Sequence, residues 1–258
     1  EEMVLTITHN GYIKRTSLST YRSQRRGGRG VQGASSREED FVEHLFVANT
    51  HSYILFFTDQ GKCYWVKVYD IPEGGRAAKG RAIVNLIGCE PDEKVSAFIS
   101  VKEFNEDHYV VMATEKGMVK KTKLSAYSNP RKKGIYAVEI RDGDKLIEAR
   151  VSSGDNDILL GTRNGKSIRF SEEQIRASGR KTMGVKGITL SSEDDRLGGM
   201  LLIKRDGTVL VATEKGFGKR TEISQYRAQK RGGKGVLTMK TTDKVGKMVT
   251  IKEVVDKD

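Results

Sequence analysis

Tyr53-Ile54-Leu55-Phe56-Phe57-Thr58-Asp59-Gln60-Gly61-Lys62 holds the key to the architecture: a strand-like apolar run leads straight into a Thr-x-x-Gly turn. The glycine supplies the positive φ that a tight hairpin turn demands. The same turn occurs five times, at Thr8 to Gly11, Thr58 to Gly61, Thr114 to Gly117, Thr162 to Gly165 and Thr213 to Gly216. The anchor glycines are 50, 56, 48 and 51 residues apart. Each is preceded by a run such as Tyr109-Val110-Val111-Met112-Ala113 and followed by an alternating one such as Val119-Lys120-Lys121-Thr122.

Beyond each hairpin a loop ends in a basic residue plus glycine: Arg29-Gly30, Lys79-Gly80, Lys133-Gly134, Lys186-Gly187 and Lys234-Gly235. Another strand follows, for example Ile135 to Val138 or Val236 to Met239. One repeat is therefore expected to be a small sheet of about four strands. A lone sheet of that size cannot bury its apolar faces, so copies must pack on neighbours, and a ring of blades achieves this with short protected edges. The expected fold is all-β and propeller-like, with about five four-stranded blades in a single domain, residues 1–258. Its repeats run roughly over 1–50, 51–106, 107–155, 156–205 and 206–258. A sixth blade would be incomplete, because the tail from Val245 to Ile251 resembles only the closing strands of a repeat. Two stacked β-sandwich domains are the alternative, and the regular period counts against them.

The chain has 258 residues, 36% of them hydrophobic, with three prolines and 28 glycines, which suits strands joined by glycine turns. No run approaches the roughly 18 apolar residues of a membrane span, and Glu1 to Thr6 lack the plan of a signal peptide. The expectation is a soluble, cytoplasmic protein. Cys63 and Cys89 are too few for a disulfide framework or a zinc site, and both read as reduced core or near-core thiols.

The net charge is +12. Its distribution says more. Residues 12–30, 62–80, 118–134, 166–187 and 217–235 hold 28 Lys or Arg against 5 Asp or Glu, a local charge of +23, and the rest of the chain carries −11. In a ring this charge would recur as a basic rim, suited to a long polyanion held through phosphate neutralisation and counterion release. The expected rim contacts are Lys14, Arg15, Arg22, Lys67, Arg76, Lys79, Arg81, Lys120, Lys121, Lys123, Arg131, Lys132, Lys133, Arg169, Arg176, Arg180, Lys181, Lys186, Lys219, Arg220, Arg227, Lys230, Arg231 and Lys234.

The first of these loops reads Gln24-Arg25-Arg26-Gly27-Gly28-Arg29-Gly30. It is similar to the GyrA box, Gln-Arg-Arg-Gly-Gly-Lys-Gly, with Arg29 in place of lysine. Through this box and its repeats the chain resembles the C-terminal DNA-wrapping domain of the gyrase A protein. The resemblance implies a β-pinwheel that wraps double-stranded DNA on its rim, independently of base sequence, and supports negative supercoiling alongside the gyrase A N-terminal core and gyrase B. It also implies that wrapping depends on the box, Gln24, Arg25, Arg26, Gly27, Gly28, Arg29 and Gly30. Physically, such glycines let backbone approach a phosphate and such arginines pair with its oxygens. A near-copy, Gln229 to Gly235, lies in the fifth repeat. The family normally shows six repeats, against five here. A topoisomerase IV C-terminal domain would lack an intact box.

No catalytic, metal or cofactor site is expected. Gly28 to Gly33 spells GxGxxG without a βαβ context, and Gly165-Lys166-Ser167 lacks the earlier glycine of a P-loop. His9, His44, His51 and His108 show no ligand spacing and read as turn or strand residues. The acidic runs Glu38 to Asp40, Glu103 to Asp107 and Glu193 to Asp195 read as solvated loops. Trp65, Tyr12, Tyr64 and Tyr109 read as core, whereas Tyr21, Tyr69, Tyr127 and Tyr226 stand in or beside basic loops where rim contacts are expected. A propeller that binds proteins through one face is the competing class, and it would be marked by mixed charge and aromatics.

Overall fold

A computed structural model describes residues 1–21, 40–204 and 207–254. The first repeat folds into β1 (Glu2–Thr8), β2 (Tyr12–Ser17) and β3 (Val42–Asn49). The second forms β4 (Tyr53–Thr58), β5 (Lys62–Lys67), β6 (Arg81–Ala82) and β7 (Val95–Val101). The third forms β8 (Tyr109–Thr114), β9 (Met118–Lys123), β10 (Ile135–Tyr136) and β11 (Leu146–Ser152). The fourth forms β12 (Asp157–Thr162), β13 (Lys166–Ser171), β14 (Val185–Lys186) and β15 (Leu197–Ile203). The fifth forms β16 (Thr208–Thr213), β17 (Gly218–Glu222), β18 (Val236–Leu237) and β19 (Met248–Val254). No long helix occurs among the described residues, as expected.

Five small sheets result, with orders β3-β1-β2-β6, β10-β5-β4-β7, β11-β8-β9-β14, β15-β12-β13-β18 and β17-β16-β19. The expectation that a repeat closes its own four-stranded sheet is corrected here. Each repeat builds three long strands of one sheet, and the second to fifth lend their two-residue strand to the sheet of the repeat before. Gly80, Gly134, Gly184 and Gly235 precede these short strands with φ of +80°, +70°, +78° and +71°. In the fourth repeat the equivalent glycine is thus Gly184, and Lys186-Gly187 lies three residues too far along.

The hairpin turns rest on more than glycine. In all five the glycine N–H donates to the threonine carbonyl. The threonine hydroxyl accepts from the N–H after the glycine, at 3.1–3.3 Å, as from Tyr12 to Thr8 and from Lys62 to Thr58. The carbonyl of the anchor glycine then takes N–H groups from the following repeat: Ile83 on Gly11, Ala137 on Gly61, Gly187 on Gly117 and Thr238 on Gly165. At Gly165 (φ +88°) a Cβ would lie 1.9 Å from the Met239 carbonyl oxygen, so close approach and backbone sign both demand glycine.

The chain divides into two compact units, one of residues 1–56, 63–103 and 130–135, the other of 57–62, 104–129 and 136–258. The core of the first gathers Leu5, Ile13, Ile54, Phe56, Tyr64, Val68 and Ile71. In the second, Leu160, Phe170 and Met200 centre one cluster and Leu159, Leu201 and Val209 another. Strands buried on both faces explain the unbroken apolar runs: Ile54, Leu55, Phe56 and Phe57 are all fully buried. Each contributes roughly 1.5–3 kcal/mol relative to exposure.

Candidate nucleic-acid interface

The loops before the short strands carry a recurring set of exposed cations, although Lys102, Arg141, Lys145, Arg163, Lys204 and Lys215 are exposed elsewhere. Arg76 and Lys79 precede β6 and Arg81 begins it; Arg131, Lys132 and Lys133 precede β10; Arg176 and Lys181 precede β14 and Lys186 ends it; Arg227, Lys230 and Lys234 precede β18. Lys123, Lys219 and Arg220 are also exposed, and Lys67 is half-buried with its Nζ 5.3 Å from the ring centre of Tyr69. Arg22 and the box Gln24 to Gly30 lie outside the described residues, as do the GxGxxG spelling at 28–33 and Glu38 and Glu39.

The expectation that Lys14, Lys120 and Lys121 lie on the rim is corrected, whereas Lys219 and Arg220, at the same station of the fifth repeat, are exposed. Lys14, Lys120 and Lys121 are 2%, 1% and 7% exposed and are internal fasteners. The Lys14 Nζ donates to the carbonyls of Gly75, Arg76 and Ala78 at 2.8–2.9 Å, using all three of its protons. Lys120 Nζ donates to the Ala137 and Arg180 carbonyls at 2.5 and 2.8 Å. Both therefore grip the loop of a following repeat. Burial pulls both amines below the ordinary lysine value, and Lys120, with the Arg180 charge as a second cause, is brought to about 7.

The neighbouring position holds the following repeat's 3₁₀ turn. Arg15 donates to the Ile71 carbonyl at 2.7 Å, Lys121 to that of Glu172 at 3.1 Å, and Arg169 to those of Ile223 and Tyr226 at 3.0 and 3.1 Å. Arg169 is also paired with Asp157 at 2.8 Å, and Lys121 stands 3.7 Å from the fully buried Glu172 carboxylate. A lysine or arginine in an alternating strand reads as surface charge, because sequence gives no sign of carbonyls converging from a repeat about fifty residues away. The recurrence of a basic residue four positions after the anchor glycine, at Arg15, Lys121 and Arg169, was the available signal.

The near-copy of the box, Gln229 to Gly235, is well defined. Arg231 donates to the carbonyls of Gln174 and Lys186 at 3.1 and 2.7 Å, and the Gly232 N–H donates to the Gly187 carbonyl at 2.9 Å. These groups hold the loop to the fourth repeat. Lys230 and Lys234 remain exposed.

Two aromatic expectations fail: Tyr127 and Tyr226 are 0% and 5% exposed and belong to the core, whereas Tyr69 is 48% exposed. Tyr21 is half-buried. Tyr64 is core as expected, its hydroxyl donating to Glu93 at 2.9 Å. Of the acidic runs, Glu103, Glu106, Asp107, Glu193 and Asp194 are exposed as expected, but two members depart from a solvated loop. Asp40 and Asp195 are 9% and 1% exposed, and each carboxylate accepts two backbone N–H groups beside a hairpin turn, as does Asp144. Burial opposes the Asp40 charge, yet hydrogen bonds from Thr8, Asn10 and Phe41 outweigh it and hold the carboxyl below its usual range. Among the described residues no group of three or more His, Cys, Asp or Glu is arranged to hold a metal ion. Cys63 is buried and Cys89 half-buried, both free thiols.

The chain matches the family model described as DNA gyrase C-terminal domain, beta-propeller, over residues 2–49, 52–102, 108–153, 156–204 and 207–254. The gyrase A protein of Clostridium acetobutylicum is 50% identical over 258 residues, all of this chain and 31% of that protein. Its counterpart in Mycolicibacterium smegmatis is 46% identical over 251 residues, 96% of this chain and 30% of that protein. The chain thus spans under a third of those relatives. Among solved structures, a DNA gyrase A C-terminal domain aligns with TM-score 0.81 at 25% identity, covering 99% of this chain and 84% of that one. A topoisomerase IV C-terminal domain aligns with TM-score 0.81 at 27% identity, covering 99% and 78%. Fold does not separate those two kinds of domain. The matched family model and both of these relatives are gyrase ones.

Proposed function

The chain belongs to the family of β-propeller C-terminal domains of DNA gyrase, and we propose that it binds duplex DNA through the phosphate backbone and wraps it to support negative supercoiling. It does no bond-making chemistry itself and works in the cytoplasm beside the gyrase A core and gyrase B. The observation that carries this reading is the recurrence of exposed cations at one station of successive repeats, Arg76 and Lys79, Arg131 to Lys133, Arg176 and Lys181, Lys230 and Lys234. Such contacts position a backbone without reading bases. The box, Gln24 to Gly30, completes the series in the first repeat. Lys14, Lys120 and Lys121 act indirectly, by fixing the loops.

Titration of two unrelated duplexes across ionic strength tests this reading. Equal affinity for both, and a log K against log salt slope steeper than about −4, are expected for roughly five or more phosphate contacts. A slope near that of one or two contacts contradicts it.

A further inference from the structure

Tyr136, the second residue of β10, is 51% exposed although its short strand is hydrogen-bonded into a sheet. Two ammonium groups stand over its ring, Lys62 Nζ at 5.8 Å and Lys181 Nζ at 5.7 Å from the centroid. Both fall within the distance at which a cation is attracted to an aromatic face. A third cation, Arg180, donates from Nη1 to the Tyr136 carbonyl at 3.2 Å. None of the three is ion-paired with a described carboxylate.

The group is held from beneath. Lys120 fixes the Arg180 and Ala137 carbonyls, and the Glu139 N–H donates to the Thr182 carbonyl at 3.0 Å. The segments carrying Tyr136 and Lys181 are therefore tied to each other before any ligand arrives. A ring that gathers lysines without neutralising them keeps the charges close while leaving their remaining protons to an incoming acceptor. An exposed phenol flanked by cations also has the amphipathic character that suits a sugar–phosphate edge.

We propose that Lys62, Arg180 and Lys181, gathered on Tyr136, form a discrete phosphate-binding site for the backbone of duplex DNA. This rests on the DNA-binding reading above. Neither Lys62 nor Tyr136 belongs to the set of contacts that sequence alone suggested, because each reads as a strand residue and their approach requires the strand exchange between repeats.

The test uses the whole chain with a mixed-sequence duplex, comparing wild type, the Lys62→Gln/Lys181→Gln double variant, Tyr136→Leu, and Lys102→Gln as a control at an exposed lysine outside the loops. The double variant is expected to flatten the log K against log salt slope by about 2, one for each phosphate no longer neutralised. Tyr136→Leu is expected to keep the slope and weaken binding about two- to fivefold, the worth of exposed cation–ring pairs. Lys102→Gln is expected to change neither. If wild type binds with a steep slope and the double variant matches it, this site is wrong while the DNA-binding reading stands. If wild type does not bind the duplex, that reading fails and the site with it.

Discussion

Lys120 makes a sharp test of how the repeats are fastened. It is 1% exposed, its amine meets two carbonyls, and burial together with the Arg180 charge brings it to about 7 from an ordinary 10.5. A neutral amine has two N–H donors, so both carbonyls stay satisfied when the proton leaves. Below about pH 7 folded and unfolded chains both hold that proton, and the folded chain bears the full cost of a buried charge. Between about 7 and 10 the unfolded chain binds the proton that the folded chain has released, so stability rises with pH. At about 1.36 kcal/mol per unit the ceiling between about pH 7 and 9 is about 2.7 kcal/mol, and relaxation around the amine leaves about 1–2 kcal/mol. Lys120→Met removes this dependence and orphans the Arg180 carbonyl, at about 1–3 kcal/mol, whereas the Ala137 carbonyl keeps the Tyr127 hydroxyl at 3.3 Å. Urea unfolding of both proteins at about pH 6, 7.5 and 9 provides the assay. The gap between wild type and variant is expected to widen with pH by about 1–2 kcal/mol. A gap that stays constant across that range overturns this picture of the fastener, since Lys120 would then stay charged throughout.

Three further outcomes are expected. Gly165→Ala should cost more than about 2 kcal/mol in urea unfolding, because a strained φ meets a Cβ placed 1.9 Å from a carbonyl oxygen, whereas Gly11→Ala, with nothing within 4 Å, should cost only about 1–2 kcal/mol for its φ of +83°. Asp40 has a lowered carboxyl pKa, so its stabilisation is present at neutral pH and fades as pH falls through the folded value; the stability gap between wild type and Asp40→Asn should shrink on acidification below about pH 4. Lys230→Gln/Lys234→Gln should flatten the salt slope without lowering the melting temperature, whereas Arg231→Ala should lower the melting temperature, because Arg231 holds two carbonyls of the fourth repeat.

The hairpins were legible because Thr-x-x-Gly is a local code: one residue accepts the turn's N–H groups and another takes the φ that side chains avoid. The exchange of short strands was not, since two residues such as Val185-Lys186 carry no periodicity, and Lys186-Gly187 imitates the motif three residues from the glycine that performs the turn. The charge pattern identified the loops but not the use of each cation. Lys133 and Lys120 are the same residue type in the same repeat. One is in solvent, and the other is enclosed by carbonyls of its own and the following repeat's loops. Asp195 likewise sits in an acidic run with Glu193 and Asp194, and only its buried hydrogen bonds distinguish it.

The proposed function stands on one claim, that the domain bends DNA around itself and that the box Gln24 to Gly30 is needed for the wrap. Relaxed plasmid incubated with the domain, resealed by a helper topoisomerase and stripped of protein, reports this directly as a change in linking number. Wild type is expected to leave a shift of consistent sign that grows with domain concentration, and replacing Gln24 to Gly30 with alanines should abolish it while much of the DNA affinity persists. No shift with wild-type protein at concentrations that saturate the plasmid would rule wrapping out.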